Sequence, residues 1–488
     1  MKAIFLSVSS VLALTLTAGC TTPNPKALDH PGDVPAAFTA PVAQNAPVWP
    51  ATDWWTNFQA PELPPLEETA KAQNLDIAAA AARVVQAEAN AGINESVLFP
   101  QLSLNGGAQR QGSNRTTIST GNGGTTTLPA GTRNQFDASL QASYQLDFWG
   151  EEQDKLRQAN ETLRAQRYAE QVEAITIESD VADEYLTVLA LREEIALSKQ
   201  NIDAAKRILA ITQAKVTNGV LSNLDLSQQQ VVVAGQEAVL PGLVEQEREA
   251  RYALAILMGR PPEGFDVKAQ NLDGIVSPAV APGLPSELLQ RRPDVVEAEA
   301  QLYAAHANVD AARAAFFPSI GLSGQAGYSS AMIGNLINPS SFAWSIGASL
   351  LQNIFDGGRL HAESDLAKAQ QTEMIADYRK TVFSAFSDAE SALGQVSSDN
   401  EQLAYATTEE KAAAEAFRIS ELQYREGVAD LLTVLQAQQS LFSAENTLVS
   451  TKLARLQANV SLYRALGGGW SQQTADASYR SQLDWWPL

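Results

Sequence analysis

A 36-residue stretch, Pro293 to Tyr328 (PDVVEAEAQLYAAHANVDAARAAFFPSIGLSGQAGY), changes its hydrophobic period part-way along, and the change restricts the folds open to the chain. Val295, Leu302, Val309 and Phe316 recur every seven residues, with Ala298, Ala305 and Ala312 three positions after the first three. That is the a/d seam of helices packed side by side, with small residues allowing close approach. After Pro318 the period becomes two: Ile320, Leu322, Ala326 and Tyr328 fall on one side, Ser319, Ser323 and Gln325 on the other. The plan occurs twice. LDIAAAAARVVQAEANAGINESVLFPQLSLNGG carries Ile77, Val84, Ala91 and Leu98 into Leu102 and Leu104, and Asp76 and Pro100 precede Asp294 and Pro318 by the same 218 residues. A duplication of this length governs the whole fold and ranks above any short motif.

The rest of each copy follows suit. Phe136, Ala138, Leu140, Ala142, Tyr144, Leu146 and Phe148 alternate with Asp137, Ser139, Gln141, Ser143, Gln145 and Asp147; in the second copy Phe342, Trp344, Ile346, Ala348 and Leu350 alternate with small or polar residues. Soluble strands are usually about half that length, whereas a transmembrane strand takes about 9–11 residues, apolar outward and polar inward, with aromatics at the interfaces. Residues 111–134 (QGSNRTTISTGNGGTTTLPAGTRN) are nearly free of apolar residues and are expected to form a long polar loop. Glu151–Asn218 has neither Gly nor Pro and is closed by Gly219; Arg359–Glu426, offset by 208, has only Gly394 and is closed by Gly427. Val181, Val188, Ile195, Ile202, Leu209 and Val216 keep a seven-residue repeat, as do Ala389, Val396, Leu403, Phe417 and Tyr424, with Glu410 the polar interruption. That period implies left-handed supercoiling.

The expected organisation is a leader over 1–19 and an extended arm over 20–65, in which Asp53–Leu63 supplies aromatic anchors. A first repeat covers 66–259 (helix, hairpin about 101–149, long helix 151–218, return helix), and a Pro/Gly-rich linker covers 260–285. The second repeat covers 286–467 (hairpin about 319–355, long helix 359–426, return helix), followed by a tail over 468–488. The leader is one Lys and an apolar run ending at Cys20, the chain's only cysteine. It is too short for a stable membrane anchor, and LTAGC resembles the bacterial lipobox, in which the cysteine becomes the lipidated first residue (N-palmitoyl and S-diacylglycerol cysteine). Thr21 in place of Asp favours outer-membrane sorting by the same resemblance. No other run approaches 18 consecutive apolar residues, so any further membrane contact must come from strands.

Four strands cannot close a barrel, and open edges cannot face lipid, where each unpaired backbone group costs several kcal/mol. The sheet must therefore close with other copies of the chain. Three copies give twelve strands; two would give a narrower eight-stranded barrel. The same operation gathers the helices into a cylinder, because their seams are expected to bury little within one chain.

These residues strongly resemble the TolC-type outer-membrane efflux proteins, in particular the lipoprotein branch of OprM- and NodT-like factors. LPSELLQRRPDVVEAEAQL with AARAAFFPSIGLSG carries most of the likeness, supported by DWWTNF, the lipobox and LYRALGGGW, and it extends over nearly the whole mature chain. The resemblance implies an internally duplicated α+β membrane protein: four transmembrane β-strands per chain, a twelve-stranded barrel in a homotrimer, and a long periplasmic α-helical barrel. It implies a passive exit duct, without cofactor, that works with a periplasmic adaptor and an inner-membrane transporter, usually of the RND class. The family's tip constriction falls near Val216–Leu226 and Tyr424–Gln439. There Tyr424 matches a gating tyrosine and Asp225 an acidic position of the first copy. Gln436 and Gln439 replace an Asp and an Arg often found in relatives, so a charged latch would have to use Asp225 or Asp430. The competing reading makes Tyr424 a heptad core residue and the two Asp residues helix caps.

Other chemistries find no support. Asp+Glu 55 against Lys+Arg 34 gives −21, which disfavours nucleic acid as a partner. His30, His306 and His361 lack ligand spacing, and no nucleophile elbow, phosphate-binding loop or dinucleotide fingerprint occurs, so no metal site or enzyme is expected. A structural coiled-coil lipoprotein would have no use for lipid-facing strands. Among ducts, type I secretion and metal-ion efflux stand beside drug efflux; only four Met residues argue against copper or silver, and the lipobox favours an RND partner.

Overall fold

The computed structural model describes residues 34–40, 49–120, 124–128 and 130–470. The leader, Cys20, His30 and the Trp485-Trp486 pair lie outside the described residues. The chain runs α1 (Leu63–Gln73), α2 (Leu75–Ser96), β1 (Gln101–Ser113), β2 (Thr116–Thr120), β3 (Gly124–Leu128), β4 (Gly131–Leu146), α3 (Glu151–Thr217) and α4 (Asn223–Leu257). A short α5 (Pro285–Arg291) opens the second half, followed by α6 (Pro293–Ala314), β5 (Ser319–Ser330), β6 (Phe342–Leu351), α7 (Arg359–Glu426) and α8 (Leu431–Ala465). The described residues fall into two compact units, one within 87–163 and 300–376, the other within 34–86, 164–299 and 377–470.

The first unit holds a four-stranded antiparallel sheet of order β1-β4-β5-β6. Its register sorts the side chains by polarity. Leu104 pairs with Leu140, Leu140 with Ala326 and Ala326 with Trp344; Leu102 pairs with Ala142, Tyr144 with Leu322 and Leu322 with Ala348. Residues directly opposite share a face, so these apolar residues form one continuous surface. The other face takes Asn105, Gln141, Ser139, Gln325 and Ser345, with Gln325 Nε2 donating to Ser139 Oγ at 3.2 Å. β1 and β6 are exposed along their whole lengths. The polar loop expected over 111–134 is not a loop: β1 runs to Ser113, β4 begins at Gly131, and β2 and β3 form a separate two-stranded ribbon. Thr116, Thr117, Ile118 and Thr125–Thr127 are β-branched and fit a pleated ribbon, though their composition with Gly and Asn reads as loop.

Pro100 and Pro318 stand directly before β1 and β5, where they deny the helix a donor and start the extended chain. The Trp149 indole stacks on Phe317 at 4.8 Å and donates to the Pro318 carbonyl at 2.8 Å.

In the second unit the long helices meet in a core of Ile177, Val181, Tyr185, Leu186, Val188 and Leu189 with Val382, Ala389, Leu393, Val460 and Tyr463. Val181 and Val188 are fully buried in the single chain. The seams therefore bury substantial surface without a second copy, contrary to expectation, because α3 and α7 each find partners among the returning helices. The aromatic anchors dock as expected. Trp54 is buried, stacks on Tyr463 at 5.1 Å and meets Trp55 and Phe58 edge-on. α1 starts at Leu63, three residues before the expected repeat boundary, because Pro64 and Pro65 suit a helical first turn. Residues of the linker are held by Arg192, whose guanidinium reaches Glu247, Asp266 and the carbonyls of Val267 and Ala269. The two repeats also make the same contact with different side chains: Asn74 Nδ2 donates to the Leu257 carbonyl at 3.0 Å, and Arg292 donates to the Ala465 carbonyl at 3.2 Å.

Candidate functional site

The α3–α4 and α7–α8 turns, both in the second unit, carry the residues singled out for a gate. Each long helix ends on a glycine with positive φ, Gly219 at 76° and Gly427 at 78°. The next residue closes the turn: Val220 N–H donates to the Lys215 carbonyl at 2.9 Å and Val428 N–H to the Gln423 carbonyl at 2.8 Å. These are Schellman endings, which need a residue without Cβ strain at that one position. Each return helix then opens on a capping side chain. Ser222 and Asp225 form a reciprocal box, with Asp225 Oδ2 accepting from Ser222 N–H at 2.9 Å and from Ser222 Oγ–H at 2.7 Å. Asp430 accepts from Thr433 N–H at 2.8 Å. The Ser222 hydroxyl and the Thr433 donors hold the respective carboxyls of Asp225 and Asp430 below the usual range, so both remain anionic caps.

Tyr424 is only 1% exposed and sits in a cluster with Ile208, Phe417, Leu431, Val434, Leu441 and Phe442. Its hydroxyl lies 2.8 Å from Thr212 Oγ1. The Thr212 proton is committed to the Ile208 carbonyl at 2.9 Å, so Tyr424 is the donor. Lys215 adds a second tie from α3: its Nζ donates to the Tyr424 carbonyl and lies 4.2 Å above the ring. A cation there also meets the negative end of α7. Burial pushes the Tyr424 phenol up, with Asp225 adding to the shift and the Thr212 bond opposing it, so the hydroxyl stays neutral and able to donate.

The structure thus joins Tyr424 to Thr212 and Lys215, and sets Asp225 and Asp430 as caps. Gln436 and Gln439 are exposed, and among the described residues neither is tied to this cluster by a hydrogen bond. Two further glutamines enter it. Gln229 Nε2 donates to the Ala205 carbonyl at 2.9 Å, and Gln438 is 1% exposed, with neither amide atom paired among the described residues. Thr212, Lys215 and Gln229 were not foreseen. The available signal was Thr212 itself, a hydroxyl ten residues beyond Ile202 on the inner stripe of the seam.

The model of the outer membrane efflux protein family matches residues 66–260 and again 284–468, coinciding with the internal duplication. The chain is 39% identical over 462 residues to the pyoverdine export outer membrane protein OpmQ of Pseudomonas aeruginosa, covering 94% of this chain and 96% of that protein. It is 33% identical to the antibiotic efflux pump outer membrane protein ArpC of Pseudomonas putida, over 97% and 99% of the two chains. Among solved structures, the outer-membrane channel OprN aligns with a TM-score of 0.81 at 25% identity, covering 92% of this chain and 99% of that one. The open state of the MtrE outer membrane channel of Neisseria gonorrhoeae aligns at 0.79 and 27% identity, covering 92% and 98%.

Proposed function

Because the chain belongs to the outer membrane efflux protein family, with the TolC-like channel fold and no enzymatic role, we propose that it is the passive exit duct of a tripartite pump, working as a homotrimer. The observation that carries this reading is the sheet, with one apolar face, one polar face and an unpaired edge at each side. Three copies joined β1 to β6 close twelve strands around a polar lumen, and lipid meets Leu104, Leu140, Trp344 and Ile346. Reconstituted into a planar bilayer, the purified protein should conduct ions. Tyr424→Phe removes one hydrogen bond while Thr212 keeps its own partner, a loss of about 1 kcal/mol, so open-state occupancy should rise about fivefold. Absence of conductance in both proteins would refute the duct.

The upstream partners in this reading are a periplasmic adaptor and an inner-membrane RND-type transporter. The two turns support an adaptor contact. Val220 and Val428 are 68% and 78% exposed, Leu224 and Leu432 are 66% and 61% exposed, and both pairs are related by the 208-residue repeat. Exposed apolar side chains on two turns with capped, stiff bases suit docking. The double variant Val220→Asp/Val428→Asp should lose adaptor co-purification while keeping trimer and conductance; unchanged co-purification would refute this contact. Selection of cargo lies with the pump, and the roles of the relatives, from pyoverdine export to antibiotic efflux, support small organic molecules as cargo. Lipidation of Cys20 would anchor the arm in the outer membrane, and the intact mass of the mature chain reports it.

A further inference from the structure

Arg455 on α8 has no carboxylate partner among the described residues, in a chain whose acids outnumber its bases 55 to 34. Its Nε is buried and donates to no acceptor among the described residues. The side chain lines a cavity of about 310 Å³ within the second unit. Its polar wall is Ser277, Ser397, Asn400 and Asn459; Leu393, Val396 and Leu462 supply an apolar wall. Asn459 Nδ2 donates to Ser277 Oγ at 2.6 Å, which leaves the Ser277 proton free to donate elsewhere. A guanidinium, two hydroxyls and the Asn400 amide, with the Asn459 amide already committed, make a donor-rich recess beside an apolar wall, with a positive charge and nothing negative lining it. The guanidinium is half-buried, and an unpaired charge partly withdrawn from water gains from any anion that joins it.

We infer that this recess binds an oxyanion, carboxylate or phosphate, with Arg455 as its charged fork and Ser277 as an additional donor. The planar fork matches both groups in bidentate geometry. The anion has two sources: a carboxylate of a second copy of this chain in the assembled trimer, or a free inorganic oxyanion.

The test compares full-length, detergent-solubilised wild type with Arg455→Gln and Arg455→Lys, titrating inorganic phosphate at ionic strength matched with chloride. A free-anion site predicts that phosphate raises the wild-type melting temperature, with affinity on the order of tenfold weaker in Arg455→Gln and partly kept in Arg455→Lys. A carboxylate from a second copy predicts no phosphate response. Arg455→Gln then dissociates at lower detergent or higher dilution than wild type, and Arg455→Lys sits between them. This arm rests on the trimer, which the mass of the wild type checks separately. The inference is overturned if phosphate has no effect and both variants match the wild type in melting temperature and assembly, or if Arg455→Gln is more stable than wild type.

Discussion

Trp54→Ala should cost about 3–5 kcal/mol, the largest effect expected of any single substitution away from the long helices. The indole is 1% exposed and is enclosed by Tyr463, Trp55 and Phe58. Its removal takes away a large apolar area and the aromatic contacts, and the surrounding elements cannot collapse into the space because α3 and α8 are held elsewhere along their lengths. Chemical denaturation of the solubilised protein, followed by helical circular dichroism, measures the loss. Trp344→Ala is the control: that side chain is 68% exposed, and in detergent its loss should change stability by under 1 kcal/mol. Equal effects from the two would contradict the burial argument.

The second large effect is a dependence on pH. Glu67 is fully buried and Glu178 is 2% exposed. Lys71 Nζ lies 2.7 Å from Glu178 Oε1, yet burial still lifts Glu178 to about 7, against Lys71 and the Trp54 bond. Burial, helped by the Glu178 charge, pushes Glu67 well above the carboxylate range, with Lys71 opposing, and neither Glu67 oxygen has a partner among the described residues. An acid with a raised folded pKa holds its proton longer when folded than when unfolded. Its stabilising contribution is therefore present below the unfolded pKa and is lost as pH rises from about 4.5 to the folded value. For Glu178 the displacement from 4.5 to about 7 corresponds to about 3 kcal/mol lost over that window. Glu67→Gln leaves a neutral, isosteric group, so it should be nearly neutral at pH 4 and stabilising at pH 8. Asp183, also lifted to about 7 by burial and by Asp180 and Glu184, keeps its own share of the slope in that variant. Denaturation midpoints at four pH values test this; a Glu67→Gln protein that follows the wild-type curve throughout would refute it.

Much of the architecture was legible because the long elements obey simple periods. Arg359–Glu426 needed only its freedom from Pro and the glycine at its end, and the faces of β4, β5 and β6 followed from strict alternation. The β2–β3 ribbon escaped because Thr-rich, Gly-rich sequence has a strand's branching but a loop's polarity. The linker escaped for another reason: its conformation is fixed by distant side chains, Arg192, Glu62 and Glu193 among them, and no local pattern announces that. At the turns, Tyr424 stood out by its heptad position, whereas Thr212 and Lys215 gain meaning only once α3 and α7 lie alongside each other. The capping roles of Asp225 and Asp430 were open to reading from their places after Gly219 and Gly427.

The unpaired outer sides of β1 and β6 also bear on how such a protein reaches its membrane. A lone chain cannot partition its apolar face into lipid without dragging two rows of bare amides and carbonyls with it, a penalty that grows with each residue of strand. In water the same apolar face is an aggregation hazard. Neither solvent tolerates the solitary chain, so membrane insertion and subunit association must be coupled in a single cooperative event.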